Sequence, residues 1–127
     1  MIYLDTSAAL AMLLAENRKP PARIWAEPLV ASRLLEYEIW TRVHARGLAK
    51  SHAGAAHAIL ERVTLIELSP PVLQRALEPF PVGVRTLDAL HLATALYLAS
   101  VRQKLLVATF DARMREAAEA LGLGLAF

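Results

Sequence analysis

The chain has no cysteine among its 127 residues. That absence excludes disulfide frameworks, thiolate nucleophiles and Cys-type zinc sites. Aromatic residues make up only 6% of the chain while hydrophobic residues reach 56%, so the core must be built mainly from Leu, Ala and Val. No apolar run approaches the roughly 20 residues needed to span a bilayer. Residues 8–15 are apolar, but Asp5 rather than a basic side chain precedes them and Glu16 follows, so they fail as a signal-peptide core. The expectation is a soluble, cytoplasmic protein without a membrane partner. A strong charge of one sign is missing too. Fourteen Lys and Arg against 12 Asp and Glu leave a formal +2, which permits an anionic partner without demanding one. Of the histidines, His52 and His57 do not stand at i and i+4, so they form no helical zinc pair.

What is present in excess is apolar side chain. The 56% hydrophobic fraction exceeds the usual ~45–50%, more than one small domain readily hides. Two readings fit this surplus: a surface kept for a partner or second copy, or simply an Ala-rich helical protein. The length is that of a single domain over residues 1–127, able to remove roughly two-thirds of its unfolded surface from water.

Hydrophobic patterning alternates between two periods. Ile2, Tyr3 and Leu4 fit a buried strand, and Thr6 or Ser7 then caps a helix through Glu16, a hydroxyl accepting the free N–H groups of the first turn. Pro20 and Pro21 mark a loop or a helix start. A second strand is expected over 29–32, followed by a helix over 33–46 that stops at Gly47. Another helix covers 50–62, with Ser51 as its cap. A third strand at 64–68 leads to a short helix over 72–77, ended by Pro79 and Pro81. Thr86 caps a helix running to Ser100. A fourth strand at 105–108 and a helix over 112–121, stopped by Gly122, precede a terminal strand at 123–127. Strands alternating with helices predict an α/β fold: a three-layer α/β/α sandwich with a central parallel sheet.

On that alternation sit the acidic residues that carry chemistry. Asp5 and Asp111 both stand where an apolar strand runs out into a small-polar turn, where open parallel sheets build their sites. Each can serve as a plain helix cap. Thr6 and Ser7 can take that duty from Asp5, and Thr109 can bond a neighbouring carboxylate. Asp88 opens a helix whose apolar residues cover every face, so the helix should be buried. A carboxylate there needs a partner, either Arg85 or a metal. His91 lies one turn beyond Asp88 and reads as a buried, satisfied histidine rather than a catalytic one. Glu36 and Glu38 share a helix, and its periodicity does not choose between them. Several carboxylates at one point ask for a divalent cation, because like charges at close range cannot all stay ionised without one.

These residues resemble the PIN-domain family, specifically the VapC-type toxins of toxin–antitoxin modules. The run from Ile2 to Ser7 is similar to its first motif, and that from Ser32 to Glu38 to its second, which selects Glu38 over Glu36. The runs from Leu87 to Ala95 and from Ala108 to Met114 resemble the third and fourth. The resemblance implies a pocket lined by Asp5, Glu38, Asp88 and Asp111 that holds Mg²⁺ or Mn²⁺. It further implies endoribonuclease activity on RNA, silencing by a cognate antitoxin, and a homodimer. A bound divalent ion lowers the pKa of its water and polarises a phosphoryl oxygen. The expectation is that Asp5 and Asp88 or Asp111 hold the ion directly and Glu38 completes the site. Thr6, Ser7 and Thr109 then support the carboxylates, and Arg85 either steers the substrate phosphate, balances the acidic cluster or is an ordinary surface arginine. The rival reading is a non-catalytic PIN-like module that binds RNA or protein. A phosphotransfer domain fits poorly, since Ser7 stands where a dehalogenase-like site needs a second Asp. Trp40, Val43, Ile59 and Leu60 offer either an apolar surface for self-association or antitoxin docking, or ordinary core packing.

Overall fold

A computed structural model describes residues 1–101 and 104–127. Among these residues, five strands form one parallel sheet: β1 (Ile2–Leu4), β2 (Leu29–Ser32), β3 (Val63–Ile66), β4 (Leu106–Ala108) and β5 (Gly124–Leu125). Their order is β3-β2-β1-β4-β5. Tyr3 pairs with Val30 on one side and Val107 on the other, which makes β1 the central strand. Six helices flank the sheet among the described residues: α1 (Thr6–Leu13), α2 (Leu34–Ala45), α3 (Ala49–Arg62), α4 (Pro70–Ala76), α5 (Thr86–Val101) and α6 (Ala112–Ala120).

Side chains on a strand alternate between faces, and both faces of this sheet are covered. Ile2 and Leu4 therefore pack with Leu29, Ala31 and the buried stripes of α1, α2 and α3. Tyr3, Val30 and Val107 turn the other way, against Leu92, Ala95 and Leu98 of α5 and Met114 and Ala117 of α6. The three-layer α/β/α sandwich is the observed architecture. From β1 the chain steps outward to β3, then crosses back to place β4 beside β1. That reversal opens a crevice at the carboxyl ends of β1 and β4, where parallel sheets bind ligands.

Gly47 and Gly122 close α2 and α6 as expected, at φ +64 and +78. In each case the glycine amide and the next amide return to the last turn, with Leu48 N–H reaching Val43 O and Leu123 N–H reaching Ala118 O, both at 2.9 Å. The first helix departs from expectation and ends at Leu13 instead of Glu16. It closes by the same motif, but with Ala15 in the left-handed region at φ 50 and Glu16 N–H bonded to Ala11 O.

Other differences are local. The third strand begins one residue earlier, at Val63, and ends two earlier, at Ile66; α4 starts at Pro70, since proline lacks only an N–H that the first turn leaves free. The Pro20–Pro21 break introduces a 3₁₀ turn over Ala22–Ala26. Ser51 does not cap α3; its hydroxyl donates to Leu48 O. Helix α5 is not buried on every face, because Leu87, Tyr97 and Val101 reach solvent. Val43 is buried, and Trp40, Ile59 and Leu60, each partly buried, pack against the same core. No described helix is long and apolar enough to cross a membrane.

Candidate active site

Asp5 follows β1 directly and is the N-cap of α1, its carboxylate accepting from Ser7 N–H at 3.3 Å. Capping was expected from Thr6 or Ser7. Asp5 does it because the chain leaves β1 with extended backbone at this residue, the geometry an N-cap requires. The cap uses only part of the carboxylate. Ser7 Oγ and Thr109 Oγ1 each donate to the same Oδ2 at 2.7 Å. Both hydroxyls are fixed in turn by backbone amides, Phe110 N–H on Ser7 Oγ and Asp111 N–H on Thr109 Oγ1. Oδ1 receives none of these bonds.

Asp111, exposed after β4, caps α6 through Oδ1, which accepts from Met114 N–H at 3.0 Å. Asp88, half-buried in the first turn of α5, takes the Arg85 amide on Oδ2 at 3.4 Å. Of the two partners expected for Asp88, Arg85 thus supplies its backbone, while its side chain is exposed at the rim. Burial pushes the Asp88 carboxyl up from its ordinary value, the Arg85 amide pulls it down, and the charges of Asp111 and Asp5 push it up again. The charges of Asp5 and Asp111 thus both reach Asp88.

Glu38 comes from α2, on the opposite side of the crevice from α5. Its Oε1 accepts from Thr6 Oγ1 at 3.0 Å and meets His91 Nε2 at 2.6 Å. Glu36 lies outside this cluster, on the surface beside Arg33. His91 is buried and satisfied, as expected, but its partner is a member of the acidic set. Its second ring nitrogen stands 2.8 Å from Tyr3 Oη, which accepts from Ser32 N–H at 3.1 Å. Burial alone would push the imidazole pKa down. The Glu38 hydrogen bond and the charges of Asp5, Glu38 and Asp88 outweigh it, and the net shift is upward. Burial likewise pushes the Tyr3 phenol well up, so it keeps its proton.

One open depression of about 800 Å³ is lined by Asp5, Glu38, Asp88 and Asp111, with Thr6, Ser7 and Arg85 among its other walls. Thr109 lies behind Asp5 and is fully buried. Sequence reasoning had not included Tyr37, Thr41 and Arg42, which line the same depression from α2. Arg42 stands one helical turn after Glu38, a spacing that could have flagged it. The four carboxylates share one property: in each, the recorded protein donors reach a single oxygen and leave the other. An oxygen-only donor set with free lone pairs fits a hard divalent cation. The set is not a closed cage, for no three acidic or histidine side chains among the described residues stand close enough to enclose an ion unaided. Mg²⁺ needs no such cage, since it binds through one or two carboxylates and keeps several waters.

The family model described as PIN domain matches residues 2–120. Ribonuclease VapC46 of Mycobacterium tuberculosis strain ATCC 25618 / H37Rv is 34% identical over 96% of this chain and 93% of its own length. Ribonuclease VapC35 of the same strain is 31% identical over 97% of this chain and 93% of its own length. In three dimensions the chain is similar to the crystal structure of Mycobacterium tuberculosis VapC20, a sarcin–ricin loop cleaving toxin, with TM-score 0.59 and 23% identity. That similarity covers 92% of this chain and 95% of the other, and shows the shared fold. The chain belongs to the PIN-domain family and, within it, to the VapC-type ribonucleases.

Proposed function

We propose that this protein is a metal-dependent endoribonuclease that hydrolyses RNA phosphodiester bonds, acting as the toxin of a toxin–antitoxin pair. The observation that carries the reading is the convergence of Asp5, Glu38, Asp88 and Asp111, from four different segments, on one open depression. Burial first, and the charges of Asp111 and Asp5 after it, disfavour the ionised Asp88 carboxylate, and a bound cation would offset that penalty.

Asp5 and Asp88 or Asp111 would hold Mg²⁺ or Mn²⁺ through the oxygens that face away from their protein donors. When bound, the ion supplies an acidified water and a polarised phosphoryl oxygen. The remaining work falls to the chain itself. Ser7 and Thr109 hold Asp5 in one orientation, so its other oxygen needs little rearrangement. Glu38, only partly exposed and anchored by Oε1, would complete the metal site through its other oxygen, holding the ion through a water or orienting the attacking water. Arg85 and Arg42, both exposed at the rim, place positive charge where the phosphate backbone of a single strand would lie.

A cognate antitoxin and a homodimer belong to the same reading. Incubation of labelled RNA with the purified protein tests the activity. Cleavage with Mg²⁺ or Mn²⁺ that stops on adding chelator and returns with excess metal is expected. Cleavage unaffected by chelator would overturn the metal dependence, and no cleavage of any RNA would leave a binding module.

A further inference from the structure

Four carboxylates account for the proposed chemistry and leave a second polar set unexplained. Tyr3 on β1, Ser32 at the end of β2 and His91 on α5 are all buried; Tyr3 packs with Val30, Leu92, Ala95 and Val107, and the buried Thr94 hydroxyl also reaches its phenol. An apolar residue at position 91 would avoid the cost of burying an imidazole. Instead the three residues are linked in sequence to Glu38: Ser32 N to Tyr3 Oη at 3.1 Å, Tyr3 Oη to His91 Nδ1 at 2.8 Å, and His91 Nε2 to Glu38 Oε1 at 2.6 Å.

The two ends of this chain determine its middle. A backbone amide can only donate, so Tyr3 oxygen accepts from Ser32. A carboxylate can only accept, so His91 Nε2 must carry a hydrogen. In the neutral imidazole Nδ1 is then a lone pair, and the Tyr3 O–H must point at it. Every bond thus runs in one direction, from the sheet toward Glu38, and one tautomer satisfies them all.

We propose that His91 is a positioning residue for Glu38, and that Tyr3 acts behind it by fixing the ring tautomer. Together with Thr6, His91 pins Oε1 of a glutamate that sits on a partly exposed helix face. Pinning one oxygen fixes where Oε2 points and removes rotamer freedom that would otherwise be lost when the site fills. The inference rests on the metal-site reading of Glu38 given above.

Its test uses the full-length chain and four measurements. In ¹⁵N spectra of the metal-free wild type at a pH where His91 is neutral, the ring should show the Nε2–H tautomer; an Nδ1–H ring overturns the proposal. Mn²⁺ titrated calorimetrically into His91→Leu should bind about 10–100-fold more weakly than to wild type, the usual effect of losing a residue that orients a ligand. The same variant should lose kcat on RNA with KM little changed. His91→Gln carries an N–H at the position of Nε2 and should recover most of both losses. Tyr3→Phe should weaken Mn²⁺ binding in the same direction by a smaller factor. If His91→Leu does not fold, His91→Gln and Tyr3→Phe carry the test: Gln at or near wild-type affinity with Phe weakened supports positioning, and both variants at wild-type affinity overturn it. Wild-type Mn²⁺ affinity in a folded His91→Leu protein overturns the positioning role and leaves the metal site standing. A wild-type protein that binds no Mn²⁺ overturns both.

Discussion

Replacing Asp5 in two ways separates its work as a helix cap from its proposed work as an ion ligand. Asp5→Asn keeps an acceptor oxygen where Oδ2 receives Ser7 N–H, Ser7 Oγ and Thr109 Oγ1. What it loses is charge assistance, since bonds to a charged group contribute about 1.5–3 kcal/mol against about 1 for neutral ones. Relief of repulsion with Asp88 offsets part of that loss, and the acceptor itself remains, so Asp5→Asn should be the milder of the two. Asp5→Ala removes the acceptor altogether. Loss of the cap costs about 1 kcal/mol. Ser7 Oγ and Thr109 Oγ1 lie 3.0 Å apart and can bond each other, which leaves one hydroxyl proton without a partner, at about 1–3 kcal/mol. The sum is about 2–4 kcal/mol. Urea unfolding of the metal-free proteins, run beside an RNA cleavage assay, measures both quantities. Cleavage should be abolished in both variants, while only Asp5→Ala loses substantial stability. Wild-type cleavage by Asp5→Asn would refute the ligand role, and equal destabilisation by both variants would refute the account of the hydroxyl network.

Ala15→Gly should stabilise the protein by about 1 kcal/mol in urea unfolding, because glycine relieves the left-handed strain at φ 50; an unchanged or lower stability would contradict this. Mg²⁺ at about 100 times its dissociation constant should add about 2.7 kcal/mol to wild-type stability, and a melting curve unmoved by metal or chelator would contradict the site. For pH, His91 has a folded pKa above its unfolded value of about 6.5, so the folded state holds the proton more tightly. Its stabilisation is complete below that unfolded value and is lost as pH rises through the folded one. His91→Gln should flatten this decline in unfolding free energy, whereas a wild-type stability that climbs over the same interval would contradict the sign.

The sheet and its helices were legible because each strand is a short apolar run bounded by turn residues, and because Gly47 and Gly122 end helices in a way few other residues can. Asp5 and Asp111 could be singled out from local context alone, each following a strand and opening a helix. The limits of that reading were physical. Helical periodicity could not separate Glu36 from Glu38, since the distinction lies in partners 32 and 53 residues away, Thr6 and His91. Tyr3 read as one more strand residue, although its hydroxyl is the polar link between β2 and α5. The all-round apolar pattern of α5 suggested complete burial, but the layer it joins covers only part of it and leaves Leu87 and Tyr97 in solvent.

Joint cation binding by carboxylates from separate segments is the claim on which the rest depends. Crystals of the wild-type protein soaked in Mn²⁺, with data collected at the manganese edge, test it most directly. The account predicts an anomalous peak in the depression, with Asp5 and at least one of Asp88 and Asp111 in contact with the ion. No peak there at saturating Mn²⁺, or a peak held by none of these carboxylates, would contradict it.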